Sequence, residues 1–177
     1  LRVGRMPMRS PTTAKTTGGR LILTSRLDNL TIDYGMDANR VKRNALVENA
    51  QGHLHFRTWP EVRQETFGVF GQADMSLGEG RLLRGGLRVD RHRSRINSNL
   101  AGMSIANNTL PWVSNETREE ARKTQSDTQV SGLLRYEHAF NQALTGFVGL
   151  SRTIRQPDAN ERYFFHPRQQ RIGNPAL

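Results

Sequence analysis

The chain has 177 residues, no cysteine, 35% hydrophobic residues and a formal charge of +10. These values exclude disulfide staples and thiolate metal sites, and they leave little apolar material for a large core. No run approaches the roughly 20 apolar residues of a membrane-crossing helix, whereas a sheet with one apolar face needs only every second residue apolar.

Residues 1–15 are basic and contain Met6-Pro7-Met8 and Ser10-Pro11, so an irregular segment is expected. A strand is predicted over about 17–27, with Leu21, Leu23 and Leu27 on one face and Arg20, Thr24 and Arg26 on the other. Ile22 breaks the alternation. Asp28-Asn29 is a turn signal. After it Leu30, Ile32, Tyr34, Met36 and Ala38 alternate with Thr31, Asp33, Gly35, Asp37 and Asn39. Residues 42–65 are long and mixed and read as a loop.

The stretch 66–92 is the clearest hairpin. Phe67, Val69, Gly71, Ala73, Met75 and Leu77 alternate with Gly68, Phe70, Gln72, Asp74 and Ser76, then Gly78-Glu79-Gly80 turns the chain, then Leu83, Leu87 and Val89 alternate with Arg84, Arg88 and Asp90. A period of two places successive side chains on opposite faces. Residues 93–123 read as a polar loop with a brief helical turn near 116–123. A third hairpin runs from about Gln125 to Ile154, with Leu133 as an exception on its polar face. From Gln156 the chain reads as irregular.

The arms are about ten residues long, with one apolar and one wettable face, which is the pattern of strands in an outer-membrane barrel. Short connections alternate with long ones, as periplasmic turns alternate with extracellular loops. The fold expected is all-β: an antiparallel meander of about six transmembrane strands. Open edges leave backbone groups unpaired in lipid, so the meander must belong to a larger closed barrel. Asp33, Asp37 and Asp74, with Arg84, Arg88 and Arg135, fall on the wettable face as mutually compensating lumen charges.

Residues 151–177 carry a resemblance. Ile154, Arg155, Pro157, Asn160, Glu161 and Tyr163, followed by Gly173-Asn174-Pro175-Ala176-Leu177, resemble the late-barrel motif of TonB-dependent outer-membrane receptors. The resemblance implies a barrel of about 22 strands closed by a plug domain. It also implies active import of a scarce metal or metal chelate, driven by the TonB complex through the plug. On that reading residues 1–177 are part of the barrel domain, and the plug and C-terminal strands lie outside them. Met6 and Met8 resemble the methionines of the copper-receptor branch, and thioether is a soft ligand suited to Cu(I). The cargo implied is a copper ion, with a ferric siderophore as the alternative, and no resident cofactor is expected.

Other constellations are weaker. His53-Leu54-His55 places two imidazoles on one face of an extended segment, with no third ligand nearby. Asp90-Arg91-His92 has no accompanying nucleophile motif, and Gly78-x-Gly80 lacks the third glycine of a nucleotide loop. Trp59, Trp112 and Tyr163-Phe164-Phe165 suit either ligand contact or loop packing. No enzyme activity is expected. The positive charge suits an anionic lipid surface such as lipopolysaccharide, or a balance with acidic residues elsewhere in a longer protein. The arginines are scattered and no nucleic-acid motif is present, so nucleic acid is not expected as a partner. A passive porin shares the hairpins; a soluble basic β-domain is the third alternative.

Overall fold

The computed structural model describes residues 7–100, 102–107 and 109–177. Met6 and Asn108 lie outside the described residues. The architecture is an antiparallel meander whose strands follow chain order. They are β1 (Met8–Arg9), β2 (Thr12–Leu27), β3 (Leu30–Asn49), β4 (Leu54–Gly78), β5 (Arg81–Arg95), β6 (Gln125–Ala139) and β7 (Thr145–Arg152). A helix α1 (Asn115–Arg122) sits between β5 and β6. After β7 come a helix α2 (Ala159–Tyr163) and a small hairpin of β8 (Phe165–His166) and β9 (Arg171–Ile172). The helical turn predicted near 116–123 is α1, capped by Ser114, whose hydroxyl accepts from Thr117 N–H.

Two expectations are corrected. Residues 7–15 are not irregular: β1 and β2 pair with β3 in one continuous register, Met8 opposite Asn49 and Thr12 opposite Ala45. Pro11 costs the ladder a donor, but its carbonyl still accepts from Leu46 N–H at 3.3 Å. Residues 42–65 are not a loop either. β3 and β4 run on through them as one long hairpin closed near Gly52, whose φ is +82°.

The reason is an inversion of phase. Through residues 30–38 the apolar positions of β3 are the even ones, which share the outward face with Leu21, Val69, Val89 and Val130 across the register. Beyond Asn39 the even positions of β3 become Arg40 and Lys42, while Val41, Ala45 and Val47 put apolar groups on the inner face. The period of two persists, but the side that is apolar changes.

The outward face is openly apolar: Leu87 is 68% exposed and Leu150 79%. From Leu30 to Ala38 the apolar run measures about 27 Å along the strand, or about 20 Å in height for a strand tilted near 40°. Its border with charge is staggered. On β7 it falls at Arg152, in the row of Leu87, and on β2 at Lys15, in the row of Arg95. That climb across neighbouring strands is what strand tilt in a closing barrel produces.

The connections at the far end from β3's long hairpin are tight. Leu27 pairs directly with Leu30, and Gly78 with Arg81. Glu79 and Gly80 both have positive φ, +50° and +70°, as a two-residue primed turn requires.

The buried core lies at the opposite end, on the inner face. Phe56 and Val62 of β4, Ile96, Ile105, Val113 and Ala121 of the β5–β6 connection, and Ala159, Tyr163 and Phe165 from the C-terminal segment pack together. Phe165 joins the two connections to the sheet. Its ring meets Phe56 edge-on at 6.2 Å and stacks on Trp112 at 6.1 Å.

Candidate functional site

The inner wall carries the charges placed there by alternation. Arg88 lies at their centre. Its Nη1 and Nη2 donate to Asp37 at 2.8 Å each, and its Nε and Nη2 donate to Asp90 at 2.7 and 2.6 Å. Arg20 donates to the same Asp37 carboxylate at 3.1 Å. Phe70 lies between the two guanidiniums, 5.4 Å from Arg20 and 5.6 Å from Arg88. Gly68 sits under this group because an added Cβ would strike Arg88 and Asp90. Further along, Arg84 makes a two-pronged pair with Asp74, both contacts at 2.8 Å.

Two of the compensating charges differ from the expectation. Asp33 accepts from Thr24 rather than from an arginine. Arg135 pairs with Glu137 on its own strand at 2.8 Å and lies over the Phe147 ring at 4.0 Å. The residues directly opposite Arg135 are Arg84 and Gly149, neither of which offers a carboxylate.

The C-terminal segment, read as irregular, is a compact cover over the inner face. Arg155 clasps the Glu161 carboxylate with both Nη atoms, at 2.8 and 2.6 Å. Glu161 also accepts from Asp158 N–H, while Asp158 Oδ1 accepts from the Asn160 and Glu161 N–H groups. This is a capping box, and its signal, Asp158-Ala159-Asn160-Glu161, stands in the sequence. Arg155 and the Asp158 N–H hold the Glu161 carboxyl down to about 2. Arg162, only 2% exposed, reaches Asp127 of β6 at 2.6 Å. Tyr163 is fully buried, and burial pushes its phenol above the usual range. Pro157 accepts from the Gln64 side chain, which fastens the cover to β4.

The residues of the second motif close the same cover. Gly173 N–H donates to the Phe164 carbonyl and Asn174 N–H to the Glu161 carbonyl, at 2.8 and 2.7 Å. A Cβ on Gly173 would lie 2.6 Å from the Arg162 carbonyl carbon, so the backbones approach too closely for any side chain. Asn174 Oδ1 accepts from Ala176 N–H at 3.0 Å, Pro175 is buried and Leu177 is exposed. Asn160 is exposed at the helix surface. The motif positions thus come together as a structural clasp.

The candidate metal ligands are placed only in part. Met8 is 40% exposed on β1. Its register with Asn49, four residues along β3 from the inward-facing Ala45, puts it on the inner face, where Arg168 Nη1 of the cover approaches its Sδ at 3.8 Å. His53 sits in the β3–β4 turn against the Asn49 side chain at 3.2 Å, and His55 is exposed beside it. Trp59, Trp112, Tyr163 and Phe165 pack connections against the sheet. Asp90 and His92 face inward at the lumen end of β5: Asp90 holds Arg88, and His92 meets the Thr66 hydroxyl at 2.8 Å. Sequence reasoning missed Arg162, whose partner lies 35 residues away.

The family model for "TonB dependent receptor-like, beta-barrel" matches residues 7–177. Among solved structures, the chain is similar to a copper transporter, OprC, with 29% identity and a TM-score of 0.66. The likeness covers 86% of this chain and 23% of that one, so the chain spans about a quarter of the transporter's length. Among curated proteins none matches.

Proposed function

We infer the function from one premise: the chain belongs to the TonB-dependent receptor-like β-barrel family. Receptors of this family reside in the outer membrane and take up scarce nutrients with the help of TonB. The reading for this chain is a stretch of barrel wall of about six strands, in a barrel of about 22. The apolar outward face meets lipid and the paired inner wall meets a plug domain and the passing cargo. Energy arrives from the TonB complex through that plug. The observation that carries this is the family match over nearly the whole chain, supported by a sheet apolar outside and ion-paired inside.

Copper is the cargo this reading favours over a ferric siderophore. Two features support it: the likeness to a copper transporter, and Met6-Pro7-Met8 at the start of the meander, with Met8 on the inner face. Thioethers are soft and prefer Cu(I) to hard cations. The test is the full-length receptor with Met6→Leu and Met8→Leu together. Copper uptake by copper-starved cells and Cu(I) binding by purified receptor should both fall at least about tenfold. Unchanged copper uptake, with loss of ferric-chelate uptake on deleting the receptor, would reassign the cargo.

A further inference from the structure

We propose that the outward face of β2–β5, just beyond the apolar band, binds a lipid headgroup carrying two or more phosphates, in the leaflet that meets the covered end of the wall. The proposal rests on the barrel reading above. It starts from a row of four cations. Lys15, Lys42, Arg63 and Arg95 stand directly opposite one another on four neighbouring strands. Strands lie about 4.8 Å apart, and like charges directly opposite destabilise a sheet. Such a row calls for a counter-charge.

The protein supplies little of it. In the next row Arg40 and Arg93 flank Glu65. That carboxylate is already shared by Arg40 at 2.8 Å and Arg63 at 2.6 Å. One row nearer the apolar band stands Arg91, opposite Phe67. Among the described residues, Lys15, Lys42, Arg91 and Arg93 make no ion pair. All four are exposed.

The shape fits a lipid rather than a soluble polyanion. The same face holds a groove of about 800 Å³, with Lys15, Lys42, Arg91 and Arg93 at its sides and Gly19, Ala38 and Phe67 on its floor. That floor is continuous with the apolar row of Leu21, Met36, Val69, Val89 and Val130. Phosphates seated among the cations therefore leave the acyl chains lying down the apolar face. Each cation near an anionic membrane surface adds to the attraction. An RNA or DNA strand would have no acyl chain to lay along the aliphatic row that continues that floor.

The experiment uses the full-length receptor in detergent micelles, with folding checked by heat-shifted gel mobility. Retained lipid is measured by native mass spectrometry with bisphosphorylated lipid A and with its dephosphorylated form. The wild type should retain the bisphosphorylated lipid at least about tenfold more strongly. The variant K15Q/K42Q/R91Q/R93Q should lose that preference, while R122Q/K123Q at the end of α1 should keep it. Single variants K42Q and R93Q, each expected to cut retention about threefold, serve if the quadruple variant does not fold. Equal retention of the two lipids, or variants that behave as wild type, would overturn the proposal. Displacement by inorganic phosphate at the same concentration would reduce the site to a free-anion site and overturn the lipid assignment. A receptor that failed to enter micelles at all would instead overturn the barrel reading.

Discussion

Leu87→Arg tests the two-sided wall most directly. Leu87 projects from β5 at 68% exposure, in the row of Leu23 and Tyr34. It lies four residues below Arg91, the charged border on its strand, which is about 10 Å of depth for a tilted strand. In an apolar band about 20 Å high that is close to the midplane. A lipid-facing arginine there costs about 2–4 kcal/mol, or roughly 30- to 700-fold in the folding equilibrium. Gln72→Arg is the control: Gln72 lies opposite Gly86, at similar height on the inner face, and a wettable position should change by no more than about 0.5 kcal/mol. The assay is urea-dependent folding of the full-length receptor into lipid vesicles, read by gel mobility and protease protection. In water an exposed Leu87→Arg would be harmless. Equal stability of L87R and wild type would therefore refute lipid contact at this face.

Three further outcomes are expected at the cover. Gly173→Ala forces a Cβ to within 2.6 Å of the Arg162 backbone, so limited proteolysis should cut within 156–177 faster than in wild type, with little change in the strands. Phe165→Ala removes a fully buried ring at a cost of about 3–5 kcal/mol, and hydrogen exchange should rise in residues 109–123 as well as 156–177, because Trp112 loses its stacking partner. The Glu161 clasp should depend on pH in one direction only. Its folded value is about 2 against an ordinary 4.5, so its contribution is complete above about pH 4.5 and fades as pH falls toward 2. Amide exchange at Asn160–Tyr163 should show that acid-side loss, and Glu161→Gln should abolish it.

The alternating strands were legible because one rule governs them: a sheet with one apolar face needs an apolar residue at every second position, and residues 30–38 and 67–77 follow it. The phase of that rule changes past Asn39. Beyond Asn39 the outward positions become Arg40 and Lys42 while the buried ones face inward, and a search for the first phase finds no strand. The C-terminal motif was legible as a pattern but not as an object. Asp158 and Glu161 announce a helix start, yet the clasp also needs Gly173 and Asn174, which only the folded chain brings beside Glu161 and Phe164. Arg162 with Asp127 has no local signature at all. Nor has the cationic row, since Lys15, Lys42, Arg63 and Arg95 become neighbours only through register.

The engagement of Asp37, Asp74 and Asp90 with Arg20, Arg84 and Arg88 has a consequence for the electric field at this surface. Each carboxylate is already held by a guanidinium, so the fields of the two cancel within a few ångströms. A charged solute placed beside these groups would meet dipoles instead of bare ions.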